Sequence, residues 1–150
     1  MLNASDEVES RMIWGIQWDL ACDFISKKGE QKSITNSTTW GNYNNSTGDA
    51  AVMDGTTQKY GSKQVTGYSE YWKANNIYDL AGNCWELPQE ANDTNYRAGR
   101  GGYYSKDGSR NPASYRGYDH VNYSYSSGRF SSHFNNKVGV FNFNCVKLKV

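Results

Sequence analysis

The sequence predicts an α+β domain with one or two helices, many short strands and much irregular loop. Three observations predict it. Apolar residues recur at helical spacing in one segment, residues 10–27. Later aromatic and apolar runs are short and are cut by Gly101-Gly102 and Asp107-Gly108, which is how strands and tight turns are punctuated. The composition, 15 Gly against 2 Pro with abundant Asn, Ser and Thr, suits turns better than a helical bundle.

A length of 150 residues fits one domain, 1–150. Only 37% of the chain is hydrophobic, so its core must lean on 12 Tyr, 5 Trp and 5 Phe. Each such ring removes about 150–250 Å² from water when buried. The formal charge is +1 and charges of both signs are scattered, so there is no basic stripe to follow a phosphate backbone, and nucleic acid is not an expected partner. No apolar run approaches the length of about 20 residues that a membrane helix needs, and the N-terminus has no basic segment leading into an apolar one. The expectation is a soluble chain without membrane insertion, any export signal lying outside it. Cys22, Cys84 and Cys145 form no C-x-x-C and cannot all pair, so buried free thiols are expected rather than a zinc site or a disulfide framework.

In chain order, residues 1–10 are polar and expected to fray. Ile13, Ile16, Leu20 and Phe24 then recur at steps of three and four, with Trp14, Trp18, Ala21 and Ile25 alongside. This predicts a helix over 10–27, closed by Gly29. Residues 31–66 show neither period and are expected to be a long loop, functional or mobile. Order returns at 68–72 and 76–86. Short strands are expected at 96–100, 103–105 and 113–116, and a closing strand or two at 138–150. Gly101-Gly102 is too short for a phosphate loop and is expected to let backbones pack closely. Residues 117–137 between them carry almost no aliphatic side chain, and no internal repeat is present.

That stretch is the candidate binding surface. Tyr brings a large contact area with few rotatable bonds, and Ser, Gly and Asn bring adaptable hydrogen bonding. Tyr118, Tyr123, Tyr125 and Phe130 are the expected anchors. His120, Asn122, Ser127, Arg129, His133, Asn135 and Asn136 are the expected polar contacts. The alternative is a hydrophilic loop whose rings pack back onto the core.

The segment Asn-Ile-Tyr-Asp-Leu-Ala-Gly-Asn-Cys-Trp-Glu-Leu at 76–87 is followed by Arg97, Arg100-Gly101-Gly102-Tyr103-Tyr104 and Ala113-Ser114-Tyr115-Arg116. In that order and spacing, over about 40 residues, these blocks resemble the formylglycine-generating enzyme (sulfatase-modifying factor) family. Residues 12–19 also look like a helix common in its bacterial surface and phage branches. The resemblance implies a C-type-lectin-like fold. Oxidase members bind copper through a cysteine pair after the Arg-Gly-Gly block, but here no cysteine lies between Cys84 and Cys145. Without two thiolates there is no soft-ligand copper site. Relatives that hold iron through histidines have richer clusters than His120 and His133. The family's W-E-W becomes Trp85-Glu86-Leu87-Pro88, and its G-F-R becomes Gly139-Val140-Phe141-Asn142.

Non-catalytic relatives include the variable proteins of diversity-generating retroelements, phage receptor-binding tips and bacterial adhesins. Their variable positions drift among Tyr, Ser, Asn, His, Phe, Asp, Arg and Gly, and residues 117–136 are composed almost wholly of that set. The resemblance therefore implies no catalysis, a protein or glycan ligand on a cell surface, and a cell-surface, virion or otherwise extracellular location. It also implies oligomers formed through attached domains. No cofactor is expected beyond a structural calcium, which the resemblance places on Asp79, Gly82, the Cys84 carbonyl and Glu86. In the alternative, Asp79 caps the Gly82-Asn83 turn and Glu86 pairs with a buried arginine such as Arg97 or Arg100.

Overall fold

A computed structural model describes the main chain of residues 8–120, 128–136 and 141–146 and the side chains of 12–120. The strands are β1 (Val8–Met12), β2 (Met53–Asp54), β3 (Thr57–Gln58), β4 (Lys73–Ala74), β5 (Ile77–Tyr78), β6 (Trp85–Leu87), β7 (Tyr96–Arg100), β8 (Arg116–His120), β9 (Gly128–Asn136) and β10 (Phe141–Val146). Helix α1 (Gly15–Lys27) follows β1, and 3-10 turns occupy Gly48–Ala50 and Glu70–Trp72. The fold is thus mixed α+β with one α-helix among the described residues. β9 pairs with β1, β6 and β10, and the sheet continues from β6 through β7 to β8. Among the strand pairs of the described residues only β6–β9 is parallel, while β2–β3 and β4–β5 form two small antiparallel pairs.

The helix begins later than its spacing suggests. Residues 8–12, expected to fray or to start the helix, form β1 instead, because their main chain pairs with β9 from Val8 opposite Asn136 to Met12 opposite Ser132. Trp14 is the N-cap in extended conformation, and its N–H donates to Gln17 Oε1 at 2.8 Å, which satisfies a main-chain donor at the helix entrance. At the other end Lys28, rather than Gly29, closes the last turn by donating its N–H to the Phe24 carbonyl.

Residues 31–66 are irregular as expected, yet they are no peripheral loop. Trp40, Tyr43 and Ala50 are fully buried there. With so few long elements, the chain draws core mass from its connections. The core does lean on aromatics. Trp18 Nε1 donates to the Ala113 carbonyl at 2.9 Å, Trp40 Nε1 to Ser33 at 2.8 Å and Trp72 Nε1 to Ala50 at 2.9 Å. The Tyr43 hydroxyl donates to the Gly101 carbonyl at 2.8 Å. Each ring buries apolar area while its polar hydrogen satisfies a carbonyl that would otherwise need water.

β7 spans the expected 96–100. Residues 103–105 and 113–115 are turns, not strands, because their amides bond to loops: Tyr104 N–H to Asn83 O at 3.2 Å and Ser114 N–H to Ile34 O at 3.1 Å. Arg116 alone of the expected 113–116 strand is extended, as the first residue of β8. β8 runs on to His120, and 128–136 become β9, so the stretch expected to form the binding surface is partly sheet. β10 takes 141–146 of the closing segment. Gly101 and Gly102 have φ of +78° and +75°, and a Cβ would stand 2.6 Å from the Leu80 carbonyl oxygen or 2.3 Å from that of Asn111. Close backbone packing is indeed their use.

Candidate functional site

Two regions gather the residues that the sequence singles out. The first is the turn of residues 79–86. Asp79, Gly82 and Asn83 all have positive φ, which side-chain-bearing residues other than Asn and Asp adopt rarely. Asp79 is buried, and its Oδ2 accepts the Gly67 N–H at 3.0 Å. Asn83 Oδ1 accepts the Gln64 N–H at 2.9 Å while its Nδ2 donates to the Gln64 carbonyl at 3.1 Å. Asn42 works the same way one step back, accepting from Gly61 N–H at 2.9 Å and donating to Ser62 O at 2.9 Å and to Asn83 Oδ1 at 3.3 Å. The Asn42 and Asn83 amides therefore act as short strand mimics that fasten residues 61–64 to the turn. Gly82 packs so closely on Asn42 that a Cβ would lie 2.1 Å from its carbonyl oxygen.

Glu86 is buried and lies opposite Arg129 on β9 and opposite Arg100 on β7 in main-chain register. Arg97, the other arginine named for it, is exposed, and it donates to the carbonyls of Asp93 at 2.9 Å and Tyr96 at 3.3 Å. Arg100 is buried but meets other carboxylates. It contacts Asp19 of α1 and lies 3.4 Å from Glu90, while Arg116 reaches Asp19 at 2.8 Å and Glu90 at 2.6 Å. Two arginines and two carboxylates thus clamp α1 to β7 and β8. Among the described residues, no three His, Cys, Asp or Glu side chains converge as a metal site would require. A cation here would have to rest on Asp79, Glu86 and main-chain carbonyls such as those of Gly82 and Cys84.

The second region is the β7–β8 end of the sheet, where the described part of β8 pairs with β7 alone. Residues 96, 98 and 100 of β7 share one face with 116, 118 and 120 of β8, since side chains alternate along a strand. The clamp occupies the Arg100–Arg116 end of that face. At its other end Tyr96 and Tyr118 remain 41% and 40% exposed, and Tyr96 meets His120 edge to face with ring centres 5.5 Å apart. On the opposite face Gly99 and Gly117 are register partners, and rings pack over this bare backbone. Trp85 would touch a Cβ on Gly99 at 3.3 Å, and Tyr115 one on Gly117 at 2.9 Å. Trp85 also contacts Tyr103 and Tyr115, at 5.7 and 5.5 Å between ring centres.

Of the expected contact residues, Tyr118 and His120 come together on β8. The main chain of Arg129, Phe130, His133, Asn135 and Asn136 lies in β9, with β7 and β6 between it and β8. Asn122, Tyr123, Tyr125 and Ser127 lie outside the described residues. Sequence reasoning missed Tyr96, Asn42 and the arginine clamp. Tyr96 was legible as an aromatic at the start of a strand, whereas Asn42 and Asp19 carry no local signal for partners so distant in sequence.

Cys22 is a free, buried thiol, and Cys84 is buried. Burial pushes the Cys22 thiol up to about 12 against the opposing pull of the Arg100 charge, so it is a packed thiol and not a nucleophile. No helix among the described residues is long and apolar enough to cross a membrane. Compared with known proteins, the chain matches no family model, no curated protein and no solved structure.

Proposed function

We propose that the chain is a non-catalytic binding domain with the C-type-lectin-like fold of the formylglycine-generating enzyme type. Its ligand is a protein or glycan on a cell surface, met by a face that runs from the β7–β8 end into residues 117–136. The observation that carries this reading is that exposed Tyr96 and Tyr118 share one face, with Tyr96 packed edge to face on His120, at a strand that leads directly into the Tyr/Ser/Asn-rich stretch. Large rings left in water on a well-ordered strand have contact area to give and little conformational entropy to lose. In this reading the stretch is diversified by a retroelement, and the domain belongs to a surface or tail-fibre protein of a cell or virion.

The formylglycine-generating oxidase activity is set aside because the sequence offers no cysteine pair after the Arg-Gly-Gly block. A resident calcium is not part of the proposal either. The Gly67–Asp79, Gln64–Asn83 and Asn42–Asn83 bonds fasten the turn with protein atoms, which is the work a structural cation would do.

A glycan array and a panel of intact bacterial cells, probed with the labelled chain and with Tyr118→Ala, test the proposal. Binding by the wild type that drops at least tenfold in the variant is expected. Equal binding by both proteins, or none by either, counts against it. At the DNA level, a reverse-transcriptase gene beside a near-copy of the 117–136 coding region, differing mainly at adenines, is the expected source of diversity.

A further inference from the structure

The dipeptide Asp-Gly occurs twice, at 54–55 and at 107–108, and the fold treats the two copies differently. An aspartate before glycine is open to attack on its side-chain carboxyl by the next main-chain nitrogen, because glycine has no Cβ to hinder the approach. Asp54 and Gly55 sit at the β2–β3 hairpin, where every residue from 53 to 58 is exposed and the two strands pair only with each other. The Asp54 carboxylate is 72% exposed, and its nearest cation among the described residues is Lys59 Nζ at 3.5 Å. Gly55 has a φ of +58°, with no atom within 4 Å of where a Cβ would stand. Its N–H has no hydrogen-bond partner among the described residues. We propose that Asp54 converts to isoaspartate in the folded chain, a modification site that the fold denies to Asp107.

In the step, the Gly55 nitrogen bonds to the Asp54 side-chain carboxyl carbon. The nitrogen's proton and the carboxyl OH leave together as water, and a five-membered succinimide closes. Water then adds across one of the two ring C–N bonds. Opening one bond restores aspartate, and opening the other routes the main chain through the side-chain carbon, which lengthens it by one methylene and frees the α-carboxylate. The mass is unchanged and no reactant but water is needed. Ring closure requires the Asp54 main chain to turn until the nitrogen faces the carboxyl, and an isolated two-stranded hairpin resists such a turn weakly. At 107–108 both reacting groups are held. The Gly108 N–H donates to Asn45 Oδ1 at 2.9 Å, its carbonyl accepts the Ser37 N–H at 3.0 Å, and a Cβ on it would stand 2.6 Å from the Tyr43 ring. Asp107 Oδ1 accepts the Ser109 N–H at 2.7 Å and the Ser109 hydroxyl at 2.6 Å. These bonds also keep the carboxyl ionised, the form from which oxygen leaves poorly. Reaction there must wait for a local opening that breaks both sets of bonds. The inference is independent of the ligand-binding proposal, since the hairpin and the Tyr96–Tyr118 face share no residue.

Peptide mapping by mass spectrometry tests it on the full chain held folded for weeks at about 37 °C and about pH 6. The peptide that carries residues 54–55 is expected to split into two forms of equal mass. The new form is expected to take a methyl group from S-adenosylmethionine through an isoaspartyl methyltransferase, which esterifies the freed carboxylate. Conversion at 107–108 is expected to be at least tenfold slower in the folded chain and to catch up in guanidinium, where the Asn45 and Ser109 bonds are gone. Asp54→Glu keeps a carboxylate opposite Lys59 but cannot close a five-membered ring, so it is expected to lose methyl acceptance at this site. A folded chain without isoaspartate at 54 overturns the proposal, as does conversion at 107 within tenfold of that at 54, a gap that survives unfolding, or a site unchanged by Asp54→Glu.

Discussion

The turn at 79–86 and the sheet end at β7–β8 invert the usual distribution of side chains. At the turn, Asn42, Asp79, Asn83 and Glu86 are buried, whereas at the sheet end Tyr96 and Tyr118 are exposed. The difference teaches that in this chain hydropathy separates structure from surface poorly, and that hydrogen-bond accounting does better. The buried amides of Asn42 and Asn83 bond to the main chain of residues 61–64 and to each other, so they hold the fold together. The exposed rings hold nothing comparable in place. If the comparison is sound, stability should depend on the polar turn, and binding should depend on the aromatic sheet end.

The largest expected effect follows from Asn83→Ala. It removes the acceptor of the Gln64 N–H and the donor to the Gln64 carbonyl, and it puts alanine, which tolerates the left-handed region less well than asparagine, at a φ of +58°. Stranding buried partners costs about 1–3 kcal/mol each, so urea unfolding should show a loss of about 3 kcal/mol or more. Arg100→Met comes next. It leaves Asp19 and Glu90 with Arg116 as their remaining partner, which reduces the usual cost of breaking a buried pair to about 2 kcal/mol by the same measurement. A loss near zero for either variant would erase the contrast between the two regions.

Smaller effects sharpen it. Cys22, buried and with its thiol raised to about 12, should resist alkylation at pH 8 in the native state and react in urea. Because its folded value is raised, its contribution to stability is full below the ordinary thiol value and is lost as pH rises toward 12. Asp107 is the opposite case. Bonds from the Ser109 hydroxyl and amide lower its carboxyl to about 2, so its contribution is present above the ordinary value near 4 and is lost as pH falls toward 2. Asp107→Asn should therefore flatten the acid limb of the stability curve between those two values. The smallest effect is that of calcium: exchange between millimolar calcium and EDTA should shift the melting temperature by no more than about 1 °C, and a rise of several degrees would mean that the turn binds the ion.

Much of the fold was legible in the sequence, and what was not has identifiable causes. β7 was found at its true bounds because Tyr96 to Arg100 is a short run closed by Gly101-Gly102. The start of α1 was misplaced because Ile13 sits at helical spacing from Ile16 by coincidence and is buried from the extended segment before the helix. Periodicity also could not say which of two apolar stripes would be covered, and the exposed one proved to be Ile16, Leu20 and Phe24. β9 had no strand signature because Gly-Arg-Phe-Ser-Ser-His-Phe-Asn-Asn has no clean alternation, and its strand is set by neighbours on β1, β6 and β10 that no local signal announces. At the site, Tyr118 and His120 were named from composition, but Tyr96, which packs on His120, needed the β7–β8 register.

The most direct test of the central claim is to measure stability and binding together in Tyr96→Ala and Tyr118→Ala, with Asn83→Ala beside them. The account predicts that each tyrosine variant loses less than about 1 kcal/mol of stability, as surface substitutions do, while its binding to the array or to cells falls at least tenfold. Tyrosine variants that lose as much stability as Asn83→Ala, or that bind as the wild type does, would contradict it.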